Sequence, residues 1–305
     1  MPASFLRRAC AALALALAAL PLAASAQPVR VGSKIDTEGS LLGQLIIQAL
    51  NAGGIETVNR LQLGPTQIVR AALIAGEIDL YPEYTGNGAF FFGEEKDPVW
   101  KNARAGWERV KTLDARKNHL VWLDPAPADN TWAIAVRRDV AAAHKLASLR
   151  DLARYLAAGG QFKLAASAEF VERPDALPAF ERAYGFKLRA DQVLALAGGD
   201  TAVTIKAAAQ HTSGVNAAMA YGTDGPLAAL GLVLLADPLA VQPVYAPAPV
   251  VRAEVLARLP RIRELLAPVF ARLDTTTLQR LNAQIALEGH DARRVAADFL
   301  RTAGK

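Results

Sequence analysis

Cysteine, histidine and long apolar runs are all scarce in this chain, and each scarcity removes a class of function. The single cysteine, Cys10, lies ahead of a removable leader's apolar core. A chain beginning after Ala26 holds no cysteine, hence no disulfide, thiolate nucleophile or cysteine-bound metal. The four histidines, His119, His144, His211 and His290, show no metal-ligand spacing, and no metal or cofactor is expected. No G-x-S-x-G elbow is present to seat a serine nucleophile. The A-G-G triplets at 52–54, 158–160 and 197–199 lack G-x-G-x-x-G spacing and mark helix ends. Positive charge is mild, +5 overall and +3 without the two arginines of the leader. With no Lys/Arg-rich run, nucleic-acid binding is excluded.

The leader itself is legible. Arg7 and Arg8 form a charged region, A-A-L-A-L-A-L-A-A-L-P-L an apolar core, and Ala24-Ser25-Ala26 a small-x-small cleavage site. The apolar run is short for a transmembrane span, and nothing later in the chain is longer. Cys10 stands at the wrong end for a lipoprotein cysteine. The expectation is export, cleavage after Ala26, and a product of 279 residues free in the periplasm.

Strands alternate with helices along that product. V-R-V-G-S-K reads as a strand ending in a turn, and Thr37 or Ser40 caps a helix closed by Gly53-Gly54. Pro65 opens a second helix that Gly76 stops, and the strand I-D-L-Y follows. A long helix near 99–117 gives way to V-W-L-D and then T-W-A-I-A-V. Ser148 and Asp151 form a capping box, F-K-L-A-A-S is a strand, and a helix spans about 177–184. A helix capped by Asp200 runs toward Gly214 and leads into A-A-M-A-Y. From Ala253 onward the pattern is helical. This alternation predicts α/β layers with mostly parallel sheets.

What the chain does have is a set of aromatics in unusual company. Tyr84 lies in E-Y-T-G-N-G, Trp132 in D-N-T-W, Tyr221 in A-Y-G-T-D-G and Tyr245 in P-V-Y-A-P. Turn formers and small polar residues flank each one, the composition of a loop leaving a strand. They are expected to be exposed and to converge on one site that suits a cationic, poorly hydrated ligand better than a reaction. A helix–Gly–strand–Tyr sequence occurs once in each half, ending at Tyr84 and at Tyr221. Two similar lobes facing each other across the ends of their strands would produce this echo.

Three or four aromatic faces at roughly 0.5–2 kcal/mol each fall short of the roughly 8 kcal/mol that micromolar binding needs. Lys34, at the end of the first strand, and Arg173, after a strand and before a proline, are candidates for a second hold on a carboxylate. The alternative for Arg173 is salt bridging to Asp175 or Glu169. Glu83, beside Tyr84, has no nucleophile near it in sequence and reads as a supporting residue.

The segments G-S-K-I-D-T-E, G-E-I-D-L-Y-P-E-Y-T-G, D-N-T-W-A-I-A-V, E-F-V-E-R-P-D, A-Y-G-T-D-G and Y-A-P-A-P-V-V-R, in this order, resemble the substrate-binding proteins of osmoprotectant ABC importers, the glycine betaine, choline and carnitine receptors. The resemblance covers essentially the whole product. It implies a two-lobed periplasmic-binding-protein fold of type II-like topology, each lobe a mostly parallel sheet flanked by helices, with a hinge between. Lobe I would comprise 27–132 and 240–305, and lobe II 133–239. It further implies that Tyr84, Trp132, Tyr221 and Tyr245 box a quaternary ammonium while Lys34 and Arg173 grip a carboxylate. Asn87 stands where relatives carry a threonine, Trp132 where they carry tyrosine, Ala176 for a frequent glycine and Gly222 for a frequent serine. The implied protein is a monomeric receptor that hands a betaine-type ligand to a membrane permease and performs no reaction. The alternatives are a receptor for another small zwitterion such as an amino acid, or an enzyme with Glu83 or Asp224 as acid or base.

Overall fold

Among the described residues, ten strands sort into two sheets of the same design. The computed structural model describes residues 27–225 and 227–302; the leader, Cys10 and the cleavage position after Ala26 lie outside the described residues. Strands β1 (Val29–Lys34), β2 (Thr57–Gly64), β3 (Leu80–Tyr84), β4 (Leu120–Trp122) and β10 (Pro247–Arg252) form the first sheet, in the order β2-β1-β3-β10-β4. Strands β5 (Trp132–Arg137), β6 (Leu164–Ser167), β7 (Val193–Leu196), β8 (Ala217–Tyr221) and β9 (Leu232–Leu234) form the second, in the order β7-β6-β8-β5-β9.

In each sheet the first three strands of that order are parallel, and the fourth runs against both its neighbours. The reversed strand is in both cases the one that arrives from the other sheet. β5 follows β4 out of the first sheet, and β10 returns from the second after β9. The two crossing segments run side by side. The backbone N–H of Asn130 donates to the Tyr245 carbonyl at 3.0 Å, and the N–H of Tyr245 donates to Asp129 Oδ1 at 2.8 Å.

Helices cover both sheets. Thr37–Ala52 packs on β1 and β2 and against the C-terminal helices. Its Leu41, Leu42, Leu45, Ile46 and Leu50 have no exposed surface, each contributing roughly 1.5–3 kcal/mol of burial. The cap of this helix is Asp36, not Thr37 or Ser40: its extended backbone lets the carboxylate accept from Gly39 N–H at 2.7 Å. The capping box at Ser148 and Asp151 forms as the residues predict. Asp200 caps the helix Thr201–Ala209, which stops short of Gly214 because a separate 3-10 turn, Thr212–Gly214, follows it. No helix among the described residues is long and apolar enough to cross a membrane.

Four strands escape the sequence pattern. β2 carries Asn59 and Arg60 on an edge of the sheet, so it lacks the apolar run that marks a buried strand. β7 and β9 are short. β10 lies inside the first sheet although it contains Pro247 and Pro249, which cannot donate to a ladder. The pairing with β4 covers only Val250 to Arg252, so both prolines fall past its end. Beyond it, the carbonyls of Pro249 and Pro247 accept from Leu123 and Ala126, and no N–H is needed from either proline.

Candidate functional site

The shared topology brings the aromatics together. In each sheet the third parallel strand ends beside the start of the reversed strand. Tyr84 closes β3 and pairs with Pro247 of β10, which places Tyr245 two residues ahead of that pairing. Tyr221 closes β8 and is the register partner of Trp132, the first residue of β5. One pair therefore hangs from each sheet, and the pairs meet at the crevice between them.

Trp132 is the hub. Its ring lies 5.8 Å from Tyr245, 6.5 Å from Tyr221 with the planes only 18° apart, and 5.5 Å from Phe170 edge-on. The Trp132–Tyr245 contact joins the two walls. These residues were expected to be exposed, and they are not: Tyr84 and Trp132 are 6% exposed and Tyr245 4%, with Tyr221 half-buried. They bury one another, which turn-rich flanking sequence does not foretell. Gly86 permits the approach, because a Cβ there would stand 2.9 Å from both the Tyr245 ring and the Val244 carbonyl. Gly222 is required likewise, since a Cβ would meet the Asp129 carbonyl oxygen at 2.6 Å.

Both cations reach the crevice, and both have partners within the protein. Lys34 Nζ lies 2.7 Å from Glu83 Oε1 and 4.7 Å from the centroid of Tyr84. Glu83 is fully buried and also accepts from the Tyr81 hydroxyl, the Tyr84 N–H and the Asn87 amide, at 2.7–2.8 Å. A carboxylate so occupied orients its neighbours.

Arg173 is buried, and Nε and Nη2 form a fork with Asp175 at 2.9 and 2.6 Å. Nη1 donates to Glu169 at 2.9 Å and, across the crevice, to Asn87 Oδ1 at 2.8 Å. Its guanidinium lies 4.6 Å from the Trp132 centroid and 4.2 Å from that of Phe90. The salt bridging weighed from sequence is thus present with both Asp175 and Glu169, inside the crevice and not on the surface. Asn87 joins Glu83 on one side to Arg173 on the other.

Residues with no local signature complete the site. Glu38 is buried and accepts from the Tyr84 hydroxyl at 2.8 Å, the Asn130 amide at 2.8 Å and the Asn282 amide at 2.6 Å. Tyr245 Oη is buried without a partner. Burial raises the Asp36 carboxyl to about 6, against the lowering effects of the Gly39 N–H and Lys34. Burial also raises Asp224 to about 7, although the Tyr221 N–H and Thr201 hydroxyl bind it. Burial works in the same direction on Glu169, but Lys34 and Arg173 outweigh it and hold that carboxyl low. No cluster of His, Cys, Asp and Glu suited to a metal ion occurs among the described residues.

The space enclosed by Lys34, Tyr84, Asn87, Trp132, Tyr221 and Tyr245 is about 30 Å³, so the two walls are nearly in contact.

Comparison with known proteins fits this geometry. The family described as the substrate binding domain of ABC-type glycine betaine transport systems matches residues 27–302. The chain is 68% identical over 277 residues to the glycine betaine-binding protein YehZ of Escherichia coli, spanning 91% of each chain. It is 34% identical over 281 residues to a glycine-betaine-binding protein of Pseudomonas aeruginosa, spanning 90% of this chain and 88% of that one. The solved structure of apo YehZ from E. coli aligns with a TM-score of 0.66 at 68% identity, over 92% of this chain and 99% of that one. Lactococcal OpuAC, in its closed-liganded conformation with glycine betaine, aligns at 0.57 over 91% and 96% of the two chains. Its identity of 12% speaks for the two-lobed fold alone. On the extent of the family match and the identity to these relatives, the chain belongs to the substrate-binding domains of ABC-type glycine betaine transport systems.

Proposed function

We propose that this protein is a periplasmic receptor that closes around glycine betaine or a related quaternary ammonium and delivers it to the permease of an ABC importer. The observation that carries the reading is the convergence of Tyr84 and Tyr245 from one sheet with Trp132 and Tyr221 from the other. A trimethylammonium group has no N–H to donate, and its diffuse charge meets π-faces with little desolvation cost. The lobes are roughly those expected from sequence, 27–132 with 240–305 and 133–239, except that Trp132, as the first residue of β5, goes with the second sheet.

In the crevice as it stands, Lys34's own ammonium lies over the Tyr84 ring. A ligand cation would take its place as the lobes part and close again. Lys34 and Arg173 would then turn part of their hydrogen-bonding capacity to the ligand carboxylate, with Asn87 and the unpartnered Tyr245 hydroxyl beside them. The protein would work as an exported monomer, cleaved after Ala26, without metal or cofactor. It would return its ligand unchanged, since Glu83 and Asp224, the two candidate acid–base groups, are bound to neighbours that they position.

A thermal-shift panel on refolded, ligand-free protein tests this reading. Glycine betaine, choline or carnitine should raise the melting temperature, and amino acids should not. Stabilisation by an amino acid in place of every quaternary ammonium compound, or chemical conversion of the ligand, would defeat it.

A further inference from the structure

A second, larger cavity adjoins the crevice and has a different chemistry. It encloses about 650 Å³, within the roughly 300–1,000 Å³ of small-molecule sites. It lies between the helix Thr201–Ala209 of one lobe and the helix Thr275–Ala286 of the other. Ala202, Ile205, Ala209, Leu227, Leu230 and Leu287 give it apolar walls, and the exposed Lys206 stands on its rim. Tyr221 and Asp36 line both this cavity and the crevice.

Its inner end offers acceptors. Asp36, Glu38 and Asp224 all line it, and the hydrogen-bond partners of all three are neutral: the Gly39 N–H, the Tyr84 hydroxyl with the Asn130 and Asn282 amides, and the Tyr221 N–H with the Thr201 hydroxyl. Lys34, two residues ahead of Asp36 in the chain, acts on it electrostatically but pairs with Glu83. A fourth acceptor is independent of these carboxylates. Asn282 also lines the cavity and is only 3% exposed. Its amide nitrogen is committed to Glu38 Oε2 at 2.6 Å and the Thr223 carbonyl at 3.0 Å. That orientation leaves Oδ1 buried with no donor, which a protein seldom tolerates.

We propose that this cavity is a second ligand site, for a protonated amine on an apolar chain. Its ammonium would donate N–H bonds to Asn282 Oδ1 and the carboxylates of the inner end, and its chain would cover the apolar walls. The crevice prefers a cation that has no N–H; this cavity prefers one that does. The two preferences separate the sites experimentally.

The test is calorimetric titration of the mature chain at neutral pH with n-hexylamine, hexyltrimethylammonium and hexanol, using glycine betaine as a separate probe of the crevice. Hexylamine should bind at least about tenfold more tightly than either analogue, the factor expected from charged hydrogen bonds. Ala209→Phe, which fills the cavity from its wall, should weaken hexylamine by a similar factor and leave glycine betaine unchanged. Trp132→Ala should do the reverse. Should Ala209→Phe fail to fold, Asp224→Asn serves, with weaker hexylamine binding expected. Failure of hexylamine to bind, equal affinity for hexanol or hexyltrimethylammonium, or indifference of hexylamine to the cavity variants would overturn the proposal. So would loss of hexylamine binding in Trp132→Ala, which would assign the amine to the crevice.

Discussion

The two walls of the crevice carry the same kind of side chain but hold it by different means. On the first-sheet wall, Tyr84 is fixed by its hydroxyl on Glu38 and its N–H on Glu83, and Tyr245 by its N–H on Asp129. On the second-sheet wall, Trp132 is fixed by rings, edge-on to Phe170 and stacked with Tyr221. One wall is set by charge and hydrogen bonds, which act at sharply defined distances and respond to protonation. The other is set by packing around Trp132, with a single bond from the Tyr221 N–H to Asp224, and packing tolerates a change of ring better than its loss. Arg173 belongs to both kinds, since it stacks on Trp132 and bonds to Asn87 at the first wall.

The largest effect should therefore come from Arg173→Ala. It would strand Asp175 without its fork, take a cation from Glu169 and leave Asn87 Oδ1 unpaired. Removing one partner of a buried ion pair costs about 3–5 kcal/mol, and urea denaturation should show a loss of that order. Binding of glycine betaine should fall more than binding of choline, which has no carboxylate. A variant of unchanged stability would mean that the network contributes little.

Next comes the packed wall. Trp132→Ala should cost about 1–2 kcal/mol in glycine betaine affinity, the strength of a well-placed cation–π contact. Trp132→Phe should cost less, because a π-face remains on Phe170. Equal losses for the two variants in calorimetry would show that the indole itself, and not an aromatic face, is required.

On the hydrogen-bonded wall, Tyr245→Phe keeps the ring and removes the unpartnered hydroxyl. It should weaken glycine betaine by about 1 kcal/mol and leave choline unaffected. A loss shared by both ligands would mean that the hydroxyl serves the cage instead of the carboxylate.

The smallest effect is one of pH. Asp224 is raised from 3.8 to about 7 in the fold, and Asp36 to about 6, both by burial. The folded state then binds more protons than the unfolded chain, so the stability these groups contribute is present below about pH 4 and is lost as pH rises through 6 to 7. Asp224→Asn removes a charge that burial opposes. It should melt higher than the parent at pH 8, with the difference closing toward pH 4. Parallel melting curves across that range would contradict the burial of Asp224 as an unpaired charge.

How much of this was legible depends on distance along the chain. The capping box at Ser148, the cap at Asp200 and the strand ending at Tyr221 are local patterns, and they form as read. β3 instead runs past I-D-L-Y to Tyr84, because its pairing with β10 continues there. The aromatic set could be named because turn formers around a ring are themselves a local oddity. Its burial could not, because that depends on two sheets meeting. Glu38 reaches Asn282 across 244 residues of sequence, and Phe170 sits in a helix turn whose composition announces only packing. β10 was hidden by its two prolines, whose harmlessness rests on how short β4 is.

In the proposed mode of binding, one quaternary ammonium is held between walls drawn from both sheets. A crystal structure with glycine betaine bound tests it most directly. The trimethylammonium nitrogen is expected within about 6 Å of the ring centroids of Trp132, Tyr221, Tyr84 and Tyr245, with the Lys34 ammonium displaced from the Tyr84 face and the carboxylate turned toward Arg173. A ligand cation resting on Asp36, Glu38 and Asp224 away from the rings, with Lys34 still over Tyr84, would contradict it.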